Sequence, residues 1–199
     1  MSRRKRLAPP QRREQLVEVA ARLLSAHGAD KVQITEVADA AGVTRPVVYR
    51  FFENRPALLI AVLEDFEAAL GTRFRESAVA GSTGPLEAVT RLFVDAVCET
   101  IEHKGAGAWH LLDAKGPDPE VASAAAAIQR RLLGPWEPRI TELTGGDATE
   151  TAVVSRMVVA AGRAALDLWL DGTIPREHAA AHAARAVTAI LGAFLRARR

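Results

Sequence analysis

With a single cysteine, Cys98, the chain can form no internal disulfide framework and lacks the thiolate clusters that structural zinc or iron–sulfur sites require. That usage suits a reducing cytosol, so the expected location is cytoplasmic. No run of about 18 apolar residues is free of charge, which excludes a membrane-spanning helix, and the start, Met1 to Pro10, is basic without the apolar core of an export signal. The expectation is a protein neither exported nor inserted, with no membrane partner. Strictly alternating strand patterns and internal repeats are also missing. So are the usual catalytic constellations: no nucleophile stands beside a base, no carboxylate cluster is evident, and Gly145 and Gly146 fall at a helix end rather than in a phosphate-cradling loop. An enzyme is not expected, and neither is a cofactor.

What the chain does have is enough apolar material to bury a core, with 49% hydrophobic residues in 199. Its net charge of +2 hides an uneven distribution. Residues 1–60 hold 11 Lys and Arg against 6 Asp and Glu, while the rest of the chain is net acidic. The basic end is the part suited to a polyanion.

Periodicity along the chain is helical. Leu16, Val19, Ala20, Leu23 and Leu24 recur at three- and four-residue steps between Arg12 and His27, with Gly28 as a stop. A second, two-turn segment runs from Ile34 to Ala41, and Gly42 breaks it. Thr44 is placed to cap a third, with Arg45 and Pro46 in the first turn and Val47, Val48, Phe51 and Phe52 following. Asn54 caps a fourth whose stripe passes through Leu58, Leu59, Val62, Leu63, Phe66, Ala69, Leu70 and Phe74. Beyond the loop from Gly81 to Pro85, helices are expected over about 86–101, 109–114 and 119–133. Pro135 and Pro138 then interrupt the pattern, and two long helices follow at about 147–171 and 175–197. The fold class is all-α, about nine helices, divided into a helix-turn-helix domain with a basic tail (1–55) and a longer helical domain (56–199).

The two short helices around Gly42 form a corner. Ala38 permits close approach, Gly42 accepts a positive φ, and Val43 and Val48 fill the angle. Such a corner turns Thr44, Arg45, Tyr49 and Arg50 outward, offering hydroxyl, aromatic and guanidinium groups to a DNA major groove.

From Gln15 to Leu59, and most closely over ITEVADAAGVTRPVVYRFFENRPALL, the chain resembles the DNA-binding region of TetR-family repressors. Val37, Ala38, Ala41, Gly42, Val43, Tyr49, Phe52 and Leu58 occupy the family's positions without a gap. The departures are Phe51 where histidine is frequent, Arg55 for lysine, Pro56 for glutamate and Gln33 for threonine. The resemblance implies that Thr44 and Arg45 reach base edges, that Tyr49 and Arg50 meet backbone or a thymine methyl, and that Arg55 anchors a phosphate beside a helix N-terminus. With Pro46 and Gln33 these make the expected DNA-binding set. The run Arg3, Arg4, Lys5, Arg6 either enters a minor groove or stays solvated.

The resemblance further implies a small-molecule effector held among the middle helices, for which the candidates are Phe66, Phe93, Trp109, His110, Asp113 and Trp136. Ordinary core positions for the tryptophans are the competing reading. Glu99 with His103, His110 with Asp113, and His178 with His182 share helix faces, but none completes a ligand set, and no metal is expected. Cys98 reads as a small core residue. The last two helices carry wide stripes through Val154, Met157, Val158, Ala161, Ala165, Leu168 and Trp169, then Ala183, Val187, Ile190, Leu191, Phe194 and Leu195. These serve either a homodimer interface, as the resemblance implies, or the core of one subunit. The functional expectation is an effector-released repressor that binds a palindromic double-stranded DNA operator as a dimer. An architectural or nucleoid-associated DNA-binding adaptor is the alternative.

Overall fold

The computed structural model describes residues 7–81, 85–113 and 118–196. The basic run Arg3–Arg6 lies outside them. Among the described residues the chain is all-α, with ten α-helices and two 3-10 turns. The helices are α1 (Pro9–His27), α2 (Ile34–Ala41), α3 (Arg45–Tyr49), α4 (Arg55–Gly81), α5 (Leu86–Lys104), α6 (Ala106–Leu111), α7 (Pro119–Leu133), α8 (Glu137–Thr144), α9 (Ala148–Leu170) and α10 (Arg176–Arg196).

Two boundaries differ from the sequence expectation for the same reason. α1 starts at Pro9 instead of Arg12, because proline suits a first helical turn, where no amide is needed. Pro138 likewise sits in the first turn of α8, so the interruption expected there is instead a 3-10 turn, Gly134–Trp136, leading into an additional helix. Among the described residues no helix is long and apolar enough to cross a membrane.

Two compact units divide the chain. The first takes residues up to Ala68 together with His103–Ile128; the second takes Ala69–Glu102 and the residues from Gln129 onward. In the first, Leu16, Val37, Val48, Leu58, Leu63 and Phe66 are essentially inaccessible to solvent. Truncating a side chain as large as Phe66 at such a position costs about 3 to 5 kcal/mol. In the second, Ile140, Val154, Val187 and Leu191 form a core against which Leu86, Trp136, Val158, Ile190 and Phe194 pack. α9 and α10 lie along each other, helped by the small, fully buried Ala179, Ala180 and Ala183 of α10.

The buried hydroxyls of Thr90, Thr100, Thr144 and Thr151 in the second unit are satisfied locally, each reaching the carbonyl one turn earlier. The hydroxyls of Thr144 and Thr151 meet at 2.6 Å and tie α8 to α9, and Asp147 caps α9 by accepting the amide of Glu150 at 2.7 Å. Cys98 is buried, as expected of a core residue, and desolvation pushes its thiol up to about 11 despite the opposing charge of Arg176.

Candidate nucleic-acid interface

The corner forms as its residues require. Gly42 adopts φ +64°, and its neighbour Val43 returns a hydrogen bond from its amide to the Ala38 carbonyl at 2.9 Å, closing α2. α2 starts with the Glu36 carboxylate accepting the Gln33 amide at 2.8 Å. Thr44 holds the N-cap position of α3, but its side chain makes no cap bond; the amides of Val47 and Val48 turn to its carbonyl instead.

α3 is short and two-sided. Val48 is fully buried and Phe52, just beyond the helix, is 3% exposed, so this side anchors the helix. On the other side Thr44, Arg45, Pro46, Tyr49 and Arg50 are all exposed, with Tyr49 at 53%. The arrangement presents hydroxyl, guanidinium and ring to a surface rather than to a pocket. Gln33 is also exposed. Arg13, which sequence reasoning did not single out, holds its guanidinium 5.3 Å from the centre of the Phe52 ring and adds a cation beside the end of α3.

Arg55 is placed differently from its neighbours. Nε donates to the Val32 carbonyl at 2.7 Å, Nη2 donates to the Ala29 carbonyl at 2.5 Å, and Nη1 pairs with the Asp118 carboxylate. Its side chain is 17% exposed. The expectation set this cation on a phosphate; in the structure its fork is engaged within the protein. Asn54 does cap α4, accepting the Ala57 amide at 2.8 Å.

The candidate effector residues fall into separate groups. Phe66 and Trp109 are buried in the first unit, where His110 and Asp113 are exposed. In the second unit Phe93 and Trp136 do meet, edge to face at 5.0 Å between ring centres, and Phe74 stacks on Phe93 at 3.9 Å. Two open clefts among the described residues take none of the six. One of about 640 Å3 is bounded by Gly134, Pro138, Thr141 and Gly146; another of about 570 Å3 lies between Glu87, Arg91, His178 and Arg185. Of the paired histidine and acidic residues, Glu99 pairs with Arg73 at 3.6 Å, and Arg185 lies 2.8 Å from the ring of His182. No group of three metal-ligating side chains exists among the described residues.

A basic end that displays a helix-turn-helix corner is, by class, a module suited to DNA. Residues 16–62 match the family model described as bacterial regulatory proteins, tetR family. The chain is 33% identical over 98 residues to the transcriptional repressor KstR2 of Mycolicibacterium smegmatis, a match covering 49% of this chain and 47% of that protein. It is 26% identical over 178 residues to the transcriptional activator FasR of the same organism, covering 85% and 77%. The chain thus spans about half the length of the first relative and about three quarters of the second. A TetR-family regulator from Streptomyces coelicolor superposes with a TM-score of 0.74 at 25% identity, covering 96% of this chain and 89% of that one. Residues 16–62 thus match the DNA-binding region of the tetR family, and the fold over nearly the whole chain is similar to that of a TetR-family regulator.

Proposed function

We propose that the chain is a cytoplasmic repressor that binds an inverted-repeat DNA operator as a homodimer, one α3 per half-site, and leaves it when a small apolar effector binds. The outward row Thr44, Arg45, Pro46, Tyr49 and Arg50, set on an α3 anchored by Val48 and Phe52, carries this reading. Within the row, Thr44 and Arg45 address base edges while Tyr49 and Arg50 address backbone and thymine methyl. Gln33 lies at the rim beside α2, and Arg55 acts through the loop carbonyls it holds.

Dimerisation through α9 and α10 is supported by a division within their stripes. Val154, Ala183, Val187 and Leu191 are buried inside the chain, whereas Val153, Met157 and Leu168 remain 44 to 49% exposed on α9. Their spacing sets all three within about 60° of one another around the helix, an apolar face suited to a second copy. For the effector, the aromatic group of Phe93 and Trp136 in the second unit is the proposed apolar contact; Phe66, Trp109, His110 and Asp113, in the first unit, are separate candidates.

Selection from a random-sequence duplex pool by the full chain tests the proposal. The expected product is an inverted repeat bound by two chains. A pool that shows no enrichment at about 100 mM salt, where sequence-independent phosphate binding is weakened, would contradict it.

A further inference from the structure

Within the second unit, α5 and α10 bound an open cleft of about 570 Å3, a size that holds a small molecule. Glu87 and Arg91 line it from α5, and His178, His182 and Arg185 from α10, with alanines between them. The three residues of α10 follow one another at four and three positions, within about 60° around the helix, and Glu87 and Arg91 are likewise one turn apart on α5. An ion pair between Arg176 and Glu102 at 3.1 Å joins the start of α10 to the end of α5. None of the six candidate effector residues lines this cleft.

Its side chains are rich in donors. Arg91 Nε pairs with the Asp95 carboxylate at 3.0 Å, and the two terminal nitrogens of the fork have no acceptor among the described residues. Arg185 Nη2 lies 2.8 Å from His182 Nδ1. A guanidinium only donates, so Nδ1 accepts and the ring proton stays on Nε2, which is thereby a donor as well. The rest of the Arg185 fork and the His178 ring add to these. A carboxylate offers about four acceptor sites in one plane, fewer than the donors gathered here, whereas a phosphate group offers three or four oxygens in different directions. A metal ion on the two histidines would face two guanidinium charges, and no third ligand completes such a set among the described residues.

Glu87 is the one acid among the lining residues. It repels a bare anion and accepts from a hydroxyl, so it selects a phosphate that carries one. We infer that the cleft between α5 and α10 binds a small hydroxylated phosphate ester, with Arg91, Arg185 and His182 on the phosphate and Glu87 on a hydroxyl. The site is independent of the DNA-binding reading of α3 and of the aromatic group proposed for the apolar effector.

The test titrates the full chain, its histidine rings labelled with nitrogen-15, with glycerol 3-phosphate and separately with inorganic phosphate, at fixed pH and with ionic strength held by chloride. Glycerol 3-phosphate is expected to give saturable shifts at His178 and His182 with a midpoint of about 1 mM, and inorganic phosphate to bind about threefold or more weakly. R91Q and R185Q are each expected to weaken the ester about fivefold or more, and E87Q to abolish its advantage over inorganic phosphate. All three positions are exposed, so the variants are expected to keep the wild-type helical circular dichroism. Shifts that never saturate, or that are unchanged in R91Q and R185Q, overturn the site. Equal affinity of the wild type for the two probes overturns the assignment of Glu87 and of the ester. The wild-type titrations decide both points even where a variant folds poorly.

Discussion

Replacing Arg55 separates two roles that one cation can play. R55A removes donors from the Val32 carbonyl at 2.7 Å and the Ala29 carbonyl at 2.5 Å and leaves Asp118 without its partner. Val32 is fully buried, so losing its acceptor's partner costs about 1 to 3 kcal/mol. Ala29 keeps a bond from the Val32 amide at 3.2 Å and suffers less. Asp118 is 28% exposed, and water restores part of what it loses, so that pair contributes no more than about 1 kcal/mol. The sum is about 2 to 4 kcal/mol of unfolding free energy, read from urea transitions of the full chain by far-ultraviolet circular dichroism. R55K keeps the charge but not the planar fork and is expected to lose about half as much. A stability loss below about 0.5 kcal/mol for R55A, together with full DNA affinity in R55K, would refute the clamp and return Arg55 to a phosphate.

Further consequences can be measured independently. Tyr49 and Arg50 are exposed, so Y49A and R50A should leave thermal stability within about 0.5 kcal/mol of wild type, and a loss above about 2 kcal/mol would mean that this side of α3 is packed. The Cys98 thiol is neutral in the folded chain up to about 11, against an unfolded value of 9.0, so its contribution is fully present below pH 9 and lost as pH rises towards 11. The decline amounts to about 2 to 3 kcal/mol, and comparing wild type with C98A in urea across that range detects it as a pH slope the variant lacks. Charging the apolar face of α9 with M157D and L168D should shift sedimentation at micromolar concentration from dimer to monomer; an unchanged sedimentation coefficient would argue for a different interface.

Local chemistry determined which features were legible in the sequence. α2 coincides with its expected bounds because Ile34, Val37, Ala38 and Ala41 repeat at helical steps and Gly42 can take the positive φ that ends it. Thr44 is at the expected cap position, yet its hydroxyl makes no cap bond, since residue type alone does not set a rotamer. α8 escaped notice because Pro138 reads as a breaker unless one knows that it falls in a first turn. The aromatic residues of the middle of the chain were visible, but not which of them meet: Phe93 finds Trp136 and Phe74, while Trp109 is buried in the other unit. The ties of Ser25 to Gly107 and of Arg55 to Asp118 bridge 82 and 63 residues, and no local pattern marks either end.

The most direct measurement is fluorescence anisotropy of an enriched duplex titrated with wild type, R45A and Y49A at several salt concentrations. The account predicts that each substitution weakens the selected duplex by about 1 to 3 kcal/mol while the fold stays intact, and that Arg45 discriminates the selected duplex from a scrambled one. Equal affinity of all three proteins for the selected duplex, at every salt concentration, would contradict DNA recognition by α3.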